Sequence, residues 1–252
     1  MELCYTLLSE IGLVRKENQD AVFGANYGSF GIFLVADGMG GHSDGARAST
    51  IVKNQVKAWW TQFIKSRKKQ DFFQNIEEIK TILESSNQEI LDSTRTGEIS
   101  GSTVILLWVQ EDAWAVFSCG DSRCYQVQNS FFMDRVCQLT TDDVWENQQQ
   151  NIRGMKEEEI RSHSNFGCLI RAVGTNPNFS CSVQSDRIKE KTLFALCSDG
   201  IYRYCSERYL KKQLRKARKA EHLSGCMERI KSEVYQNGAP DNLSLILIHI
   251  TI

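Results

Sequence analysis

Two apolar runs near the middle of the chain place the strongest constraint on its fold. Residues 103–109 and 114–118 are rich in β-branched and aromatic side chains, a composition typical of strands. Only residues 110–113 separate the two runs. Because a parallel crossover needs about a dozen residues or more, these strands are expected to pair antiparallel. The sequence therefore predicts antiparallel sheets and not a doubly wound parallel sheet.

The remaining apolar patterns predict further strands and helices. Five more short runs predict strands, at residues 20–24, 31–36, 124–127, 192–197 and 243–250. Three stretches with apolar residues every three or four positions predict helices, at residues 45–63, 72–91 and 206–235. Strand clusters separated by long helices indicate an α+β fold. Because no linker or repeat divides the chain, we expect a single domain spanning residues 1–252.

One long polar segment interrupts this pattern. Residues 140–177 contain two strongly polar stretches and few candidates for a core before residue 168. A segment of this length with little core is typical of a surface flap beside a functional site. A surface helical hairpin would explain the same composition.

Composition excludes several classes of protein. The chain of 252 residues has 41% hydrophobic and 24% charged residues, with a net charge of −1. It lacks the basic excess typical of proteins that bind nucleic acid or anionic membranes. The sequence contains no run of eighteen apolar residues, which is the length that a bilayer-spanning helix needs. We expect neither nucleic acid nor a membrane as a partner, and we expect a monomer.

Cysteine usage predicts the compartment. The nine cysteines are scattered, and no Cys-x-x-Cys pair is present to form a zinc site. The first ten residues have no basic start and no long apolar stretch, so they are a poor signal peptide. These features predict a reduced, cytoplasmic protein.

Three short acidic turns lie at the ends of predicted strands. Asp37 follows residues 31–36, Asp199 follows residues 192–197, and Asp241 precedes residues 243–250. Hard divalent cations prefer oxygen ligands, and carboxylates close to one another repel unless a cation neutralises them. The pattern predicts a metal site assembled from distant segments, to which Asp20 would add a fourth carboxylate. An Asp-Gly pair is also an ordinary tight turn, and convergence is not visible in the sequence.

Three further residues are weaker candidates. Arg15 lies five residues before Asp20 and would bind phosphate through its planar guanidinium, although most single arginines are simply solvated. Asp121 lies in a Gly-Asp-Ser turn that is ordinary hairpin chemistry. His42 adds a titratable group next to the glycines that follow Asp37.

Taken in order, eight motifs extend along nearly the whole chain. They are residues 12–20 (GLVRKENQD), 35–42 (VADGMGGH), 101–103 (GST), 119–123 (CGDSR), 139–142 (LTTD), 169–174 (LIRAVG), 196–200 (LCSDG) and 241–244 (DNLS). With these motifs the chain resembles the metal-dependent serine/threonine protein phosphatases, the PPM or type 2C family, in their compact bacterial form. Each motif alone is weak evidence, whereas eight in the family's order are highly specific.

The resemblance implies a central antiparallel β-sandwich of two sheets flanked by helices, in four layers α-β-β-α. It also implies a centre of two divalent cations, Mn²⁺ or Mg²⁺, at one end of the sandwich. By the same resemblance, Asp37 bridges both cations and the Gly38 carbonyl binds one of them. Asp20 is then a ligand on one side, and Asp199 and Asp241 are ligands on the other.

The family's other site residues also have counterparts. Arg15 corresponds to the phosphate-binding arginine, and Asp121 to the acid associated with a third, weaker metal. Residues 140–177 occupy the place of the family's variable flap. The implied reaction is hydrolysis of phosphoserine or phosphothreonine by a metal-bridging hydroxide, in proteins phosphorylated by a serine/threonine kinase.

One departure concerns the acid that protonates the leaving group. Met39 stands where animal members of the family have a histidine proposed for that role. His42 is a candidate acid, or it only completes the glycine turn. The main alternative is a pseudophosphatase that binds without turnover, and another is a phosphatase of small phosphoesters. The intact carboxylates favour an enzyme, because a binding module has no need to keep them all.

Overall fold

The computed structural model describes residues 1–41, 44–66, 71–95, 98–129 and 134–251. The strands are β1 (Glu2–Glu10), β2 (Asp20–Tyr27), β3 (Phe30–Gly40), β4 (Ser100–Ser102), β5 (Val104–Gln110), β6 (Ala113–Cys119), β7 (Arg123–Gln128), β8 (Arg135–Gln138), β9 (Ser182–Arg187), β10 (Thr192–Cys197) and β11 (Leu243–Thr251). The helices are α1 (Asp44–Ser66), α2 (Phe72–Ser93), α3 (Gln149–Ile152), α4 (Glu157–Arg161), α5 (Asp199–Tyr202), α6 (Glu207–Ala217) and α7 (Leu223–Gln236), with 3-10 turns at Trp145–Asn147 and Ala220–His222.

The strands form two antiparallel sheets. The first sheet has the order β1-β11-β10-β7-β8, and the second has the order β2-β3-β5-β6-β9, with β4 beside β3. The two apolar runs at the centre of the chain pair as the hairpin β5–β6, from Val104 opposite Cys119 to Gln110 opposite Ala113. The prediction of antiparallel sheets is therefore confirmed.

Three layers of side chains hold the sheets and helices together. Phe33, Ile105 and Phe194 are fully buried between the two sheets. Helices α1 and α2 cover the outer face of the second sheet, and α6 and α7 cover the outer face of the first. This arrangement is the four-layer α-β-β-α sandwich that the resemblance implies.

Local sequence explains where helix α2 begins. At the start of α2, the Asp71 carboxylate accepts a hydrogen bond from the Phe73 N–H, and the Gln74 side chain accepts one from the Asp71 N–H. This capping box satisfies backbone donors that have no partner within the helix. None of the helices in the described ranges is long and apolar enough to span a bilayer.

The predicted helix at residues 206–235 is wrong as a single element. The structure contains α6 and α7 instead, separated by the 3-10 turn Ala220–His222. The buried positions of α6 include Leu210, Leu214 and Ala217, and the next buried apolar side chain is Leu223. None of residues 218–222 is buried, so no core contact holds this stretch in one continuous helix, and the chain turns and restarts.

The segment at residues 140–177 contains α3, α4 and a 3-10 turn. An isolated bridge of Val144 with Leu169 closes the segment on itself, and a second bridge, of Ser102 with Val173, joins it to β4. The flap itself remains a prediction. The second bridge nevertheless places part of this segment beside β4, which pairs with the end of β3.

Candidate metal centre

Two carboxylates face each other across the second sheet. Asp20 is the first residue of β2, and Asp37 lies near the end of β3, directly opposite Asp20 in the antiparallel register. Residues opposite each other in such a pair have Cβ atoms about 4.5–5.5 Å apart. The strand pairing therefore fixes these two acids as neighbours, although seventeen positions separate them in the sequence.

Two more carboxylates come from the first sheet. Asp199 follows the end of β10, and Asp241 precedes the start of β11. Because β10 and β11 are antiparallel neighbours, with Cys197 opposite Leu245, the end of one strand lies beside the start of the other. The turn after β10 lies very close to the backbone that precedes β11, since a Cβ on Gly200 would lie 1.9 Å from the Asn242 carbonyl oxygen. Only glycine permits this contact.

Asp20 is the most deeply buried of these acids. One of its oxygens, Oδ2, accepts a hydrogen bond of 2.8 Å from the Ser198 hydroxyl, while buried Oδ1 has no partner among the described residues. Burial raises the pKa of Asp20 to about 6, although hydrogen bonds from Ser244 and Ser198 oppose the shift. An unpartnered buried carboxylate oxygen is costly unless a cation approaches it.

Asp37 lies between Asp20 and Asp199. Burial, and to a smaller extent the negative charges of Asp20 and Asp199, raise the pKa of Asp37 well above its usual range. Asp199 also shares a hydrogen bond with Asp37, and burial raises its pKa. The Asp37 backbone is held on both sides, because Thr103 accepts its N–H at 3.0 Å and donates its own N–H to the Asp37 carbonyl at 2.8 Å.

Gly38 occupies a position that no other residue would fit. A Cβ there would lie 2.0 Å from the Gly45 carbonyl oxygen and 2.7 Å from that of Gln19. The Gly38 N–H donates to the Gln19 carbonyl at 3.1 Å. This close packing brings the start of α1 and the residue before Asp20 against the end of β3.

Arg15 and Asp241 form an ion pair at the rim. The Arg15 guanidinium binds both carboxylate oxygens of Asp241, through Nε at 2.8 Å and Nη2 at 2.8 Å. The Arg15 side chain is 51% exposed, so it extends towards solvent from the loop that precedes β2. The hydrogen bond that Arg15 donates to Asp241 raises the pKa of Arg15, which is charged in any case.

Asn242 fixes the loop that carries Arg15. Its side-chain oxygen accepts the Gln19 N–H at 2.9 Å, and its nitrogen donates to the carbonyls of Ile11 and Glu17 at 2.9 and 3.0 Å. Gly12 lies at the other end of the loop and has a φ of +79°. A Cβ at this position would lie 2.3 Å from the Asp241 carbonyl oxygen. The last strand of the chain therefore positions its first long loop.

Asp121 joins the same site from the turn between β6 and β7. Burial raises its pKa to about 6, with a further contribution from Asp199. Arg203 binds Asp121 Oδ2 through Nη2 at 3.0 Å and Asp199 Oδ2 through Nε at 3.0 Å. The Tyr202 hydroxyl donates to the Asp121 carbonyl at 3.1 Å.

These side chains line one cavity of about 330 Å³, whose wall includes Asp37, Asp121, Asp199 and Asp241 together with Arg15 and Arg203. Gly167 and Leu169, from the segment at residues 140–177, line it as well. A larger groove of about 910 Å³ lies between α1 and α2. That groove has no comparable convergence of carboxylates, so we assign the chemistry to the smaller cavity.

The donor set fits divalent cations although it is not fully preassembled. Within the described residues, no three His, Cys, Asp or Glu side chains form a compact metal-binding group. Asp199, Asp121 and Asp241 are instead held by arginines. The unpartnered oxygen of Asp20 and the raised pKa of Asp37 fit a site where cations offset carboxylate repulsion. His42 lies outside the described residues, so its role as an acid stays a prediction.

Comparison with known families decides what kind of protein has this site. A family model described as protein phosphatase 2C matches residues 14–244. The chain belongs to the protein phosphatase 2C family. The match extends from the loop of Arg15 to the first residues of β11, and so it includes all the site residues described above.

Individual members of the protein phosphatase 2C family resemble the chain over most of its length. The serine/threonine phosphatase Stp of Listeria innocua is 26% identical over 246 residues, which cover 94% of this chain and 92% of Stp. The solved serine/threonine phosphatase of S. agalactiae has a TM-score of 0.83 at 20% identity, covering 98% of this chain and 99% of its own. The catalytic domain of PstP, solved in complex with two manganese ions, has a TM-score of 0.78 at 21% identity, covering 99% of each chain.

Three side chains of this 2C phosphatase site were not predicted from the sequence. Ser198 binds Asp20 across 178 positions, and Asn242 binds the loop before β2 across 223 positions, so neither contact leaves a local signal. Arg203 is different, because it lies four residues after Asp199. On a helical turn this spacing places the two side chains on one face, and the ion pair could have been found.

Proposed function

We propose that this protein phosphatase hydrolyses phosphoserine and phosphothreonine in protein substrates, using two divalent cations, Mn²⁺ or Mg²⁺. The observation that carries the proposal is the meeting of Asp20, Asp37, Asp199 and Asp241 at one end of the sandwich, with a buried Asp20 oxygen left unpartnered. Carboxylates at one end of a sandwich repel one another unless positive charge is present, and burial together with this repulsion raises the pKa of Asp37. The Gly38 carbonyl would complete the ligand set.

The position of Asp37 supports its assignment as the bridging ligand. It is the cross-strand neighbour of Asp20, and it shares a hydrogen bond with Asp199. It can therefore face one cation on the Asp20 side and another on the side of Asp199 and Asp241. When bound, such a pair of cations supplies a water nucleophile at neutral pH and neutralises charge on the phosphate.

Arg15 would orient the phosphate. Its guanidinium fork matches two phosphate oxygens as well as it matches the two oxygens of Asp241, and it remains charged at any working pH. Because the side chain is half-exposed and held by a single carboxylate, it is free to exchange Asp241 for substrate. Holding the phosphoryl group in line lowers the entropic part of the barrier.

The biological setting follows from the same proposal. We place the protein in the cytoplasm as a monomer with one catalytic domain at residues 1–252, in which residues 140–177 act as the flap. Its substrates would be proteins phosphorylated by a serine/threonine kinase, and neither nucleic acid nor a membrane would be a partner. The net charge of −1 supports the expectation that nucleic acid is not a partner.

The test is hydrolysis of a phosphothreonine peptide and of an aryl phosphate, with Mn²⁺ and with a chelator. We expect activity with Mn²⁺, loss of activity with the chelator, and a loss of several orders of magnitude in Asp37→Ala and Asp241→Ala. Thr61→Ala, on the exposed face of α1, is the matched control and should keep full activity.

Each alternative predicts a different result. Absence of turnover under every metal condition would support the pseudophosphatase, and turnover of the aryl phosphate alone would support a phosphatase of small phosphoesters. Activity that survives Asp37→Ala would refute the assigned centre. The retention of all four carboxylates favours the enzyme, because a binding module does not need a costly cluster of buried acids.

A further inference from the structure

Arg203 lies between two carboxylates that belong to different parts of the chain. Asp199 is on the same helical turn, whereas Asp121 comes from the turn between β6 and β7. The guanidinium reaches Asp199 through Nε at 3.0 Å and Asp121 through Nη2 at 3.0 Å. Two nitrogens of one rigid plane therefore connect these acids, which would otherwise repel each other.

The backbone and the neighbouring side chain hold Arg203 in this position. Its N–H donates to the Asp199 carbonyl at 3.0 Å, which closes the helical turn that orients the side chain. The preceding Tyr202 donates its hydroxyl to the Asp121 carbonyl at 3.1 Å. The Arg123 guanidinium stacks on the Tyr202 ring, with its central carbon 3.5 Å from the ring centroid. Arg123 is in turn paired with Asp142 at 2.6 Å.

Arg15 provides an internal comparison. Its guanidinium binds one carboxylate, Asp241, and its side chain is 51% exposed on a loop. The Arg203 side chain is almost as exposed, at 44%, but it binds two carboxylates, and its partner Asp121 is only 5% exposed whereas Asp241 is 27% exposed. Removing a cation from a buried carboxylate leaves an uncompensated charge, which is much more costly than breaking an exposed pair. Arg203 is therefore a fixed part of the site, whereas Arg15 can change partners.

A further divalent cation beside Asp121 would take carboxylate oxygens from Asp121 and Asp199 as ligands. In each of these carboxylates, Oδ2 already accepts an N–H group from Arg203. Guanidinium cannot be deprotonated in a protein, so it cannot become a neutral neighbour of the metal. The residues present do not fit a third divalent cation.

We infer that the Arg203 guanidinium supplies the positive charge beside Asp121 and Asp199 and replaces the third, weaker metal expected at Asp121. The inference rests on the proposed centre of two cations and adds that Asp121 is a partner of Arg203, not a metal ligand. Arg203 is a positioning residue: it fixes Asp199, which remains available to a cation of the two-metal centre through the rest of its carboxylate.

The test counts bound Mn²⁺ per chain by equilibrium dialysis, with the free ion measured by electron paramagnetic resonance. The wild-type chain is compared with Arg203→Ala, Asp121→Asn and the double variant. Arg187→Ala is the matched control, because Arg187 forms an Arg–Asp pair with Asp112 outside the site, where its side chain is 68% exposed. Circular dichroism establishes that each variant is folded.

We expect two Mn²⁺ ions in the wild type, in Asp121→Asn and in Arg187→Ala. Arg203→Ala should gain a third, weaker ion that the double variant loses again. A wild-type chain that binds three ions, one of them lost in Asp121→Asn, would overturn the inference alone. So would a folded Arg203→Ala chain that still binds two. If Arg203→Ala does not fold, the comparison of the wild type with Asp121→Asn decides.

The two proposals fail in different ways. A wild-type chain that binds no Mn²⁺ would overturn the proposed metal centre, and the inference with it. A chain that binds three ions and hydrolyses phosphothreonine would keep the proposed function and refute only the role of Arg203.

Discussion

Asn242 connects the two sheets at the site through a single side chain. It is 5% exposed and follows Asp241 at the start of β11, yet all three of its side-chain hydrogen bonds go to the loop before β2. That loop carries Arg15 and ends at Asp20. The geometry of a cation ligand and of the phosphate-binding residue therefore depends on one amide.

Asn242→Ala should destabilise the fold and weaken substrate binding. The change leaves one backbone N–H and two carbonyls without their partners, which costs about 1–3 kcal/mol when such groups are buried. The free energy of unfolding in urea should fall by this amount, and KM should rise because Arg15 is no longer held in place. Asn237→Ala is the control, since its exposed side chain donates only to the Tyr204 carbonyl. Equal effects of both changes would contradict this role.

The buried side chain of His249 contributes to the pH dependence of the free energy of unfolding. It is 3% exposed, and its Nε2 has no partner among the described residues. Burial, followed by the positive charge of Lys191, lowers its pKa below the usual value of 6.5. The native state therefore binds fewer protons than the unfolded chain near and below that value. The contribution of His249 to stability should be fully present above that value and be lost as the pH falls, whereas the buried carboxylates Asp20, Asp37 and Asp121, whose pKa values are raised, act in the opposite direction.

The measurement is the urea midpoint at about pH 5 and about pH 7.5, in the presence of a chelator. Replacing His249 by Leu removes its share of the pH dependence, so relative to the wild type the midpoint of His249→Leu at about pH 5 should be higher compared with its midpoint at about pH 7.5. His222→Leu, whose side chain is 48% exposed, should retain the wild-type pH dependence. An unchanged pH dependence in His249→Leu would show that another group is responsible.

The central strands were predicted from the sequence, whereas three of the four edge strands, β1, β8 and β9, were not; the fourth, β2, was predicted in part. All residues of β10 are buried, and β11 is buried except for its last residue, so apolar side chains predominate in both strands. Strand β9 is an edge with five of six side chains exposed, and the edge strand β8 has four residues. Edge strands make few core contacts and therefore need no apolar pattern, which explains why β1, β8 and β9 were missed. Strand β4 has only three residues.

A second arginine pair lies within the segment at residues 140–177, and one member of the pair also contacts the site. Arg171 binds Asp143 through Nε at 3.0 Å and Nη2 at 2.9 Å, and Asp143 Oδ2 accepts the Gly120 N–H at 2.9 Å. Gly120 immediately precedes Asp121. Asp143 therefore connects the segment at residues 140–177 to the turn that carries a site residue, and Arg171 holds the Asp143 carboxylate in place.

Arg171→Ala should loosen this segment without unfolding the sandwich. Amide hydrogen exchange within residues 140–177 should become faster, while the central strands β10 and β11 keep their protection, because local opening is governed by local contacts. Arg187→Ala, which removes an exposed pair at the far end of β6, should leave exchange in the segment unchanged. Equal acceleration throughout the molecule would indicate global destabilisation instead.

At the scale of the whole molecule, the site is a consequence of topology. The sequence placed each acid at the end of an apolar run, and the structure shows why four such ends meet: β11, the last strand, inserts between β1 and β10. Asp20 and Asp241 are thereby brought to one end of the sandwich across 221 positions. No local pattern encodes that insertion, so the acids were predictable from the residues and their convergence only from the family resemblance.

The most direct test of the account is anomalous scattering from crystals grown with Mn²⁺ and measured at the manganese absorption edge. The account predicts two peaks that share Asp37 as a ligand, one on the side of Asp20 and Gly38 and the other on the side of Asp199 and Asp241. Asp37→Ala crystals should lose both peaks. No peak beside Asp37 in the wild type, or peaks that remain unchanged in Asp37→Ala, would contradict the account.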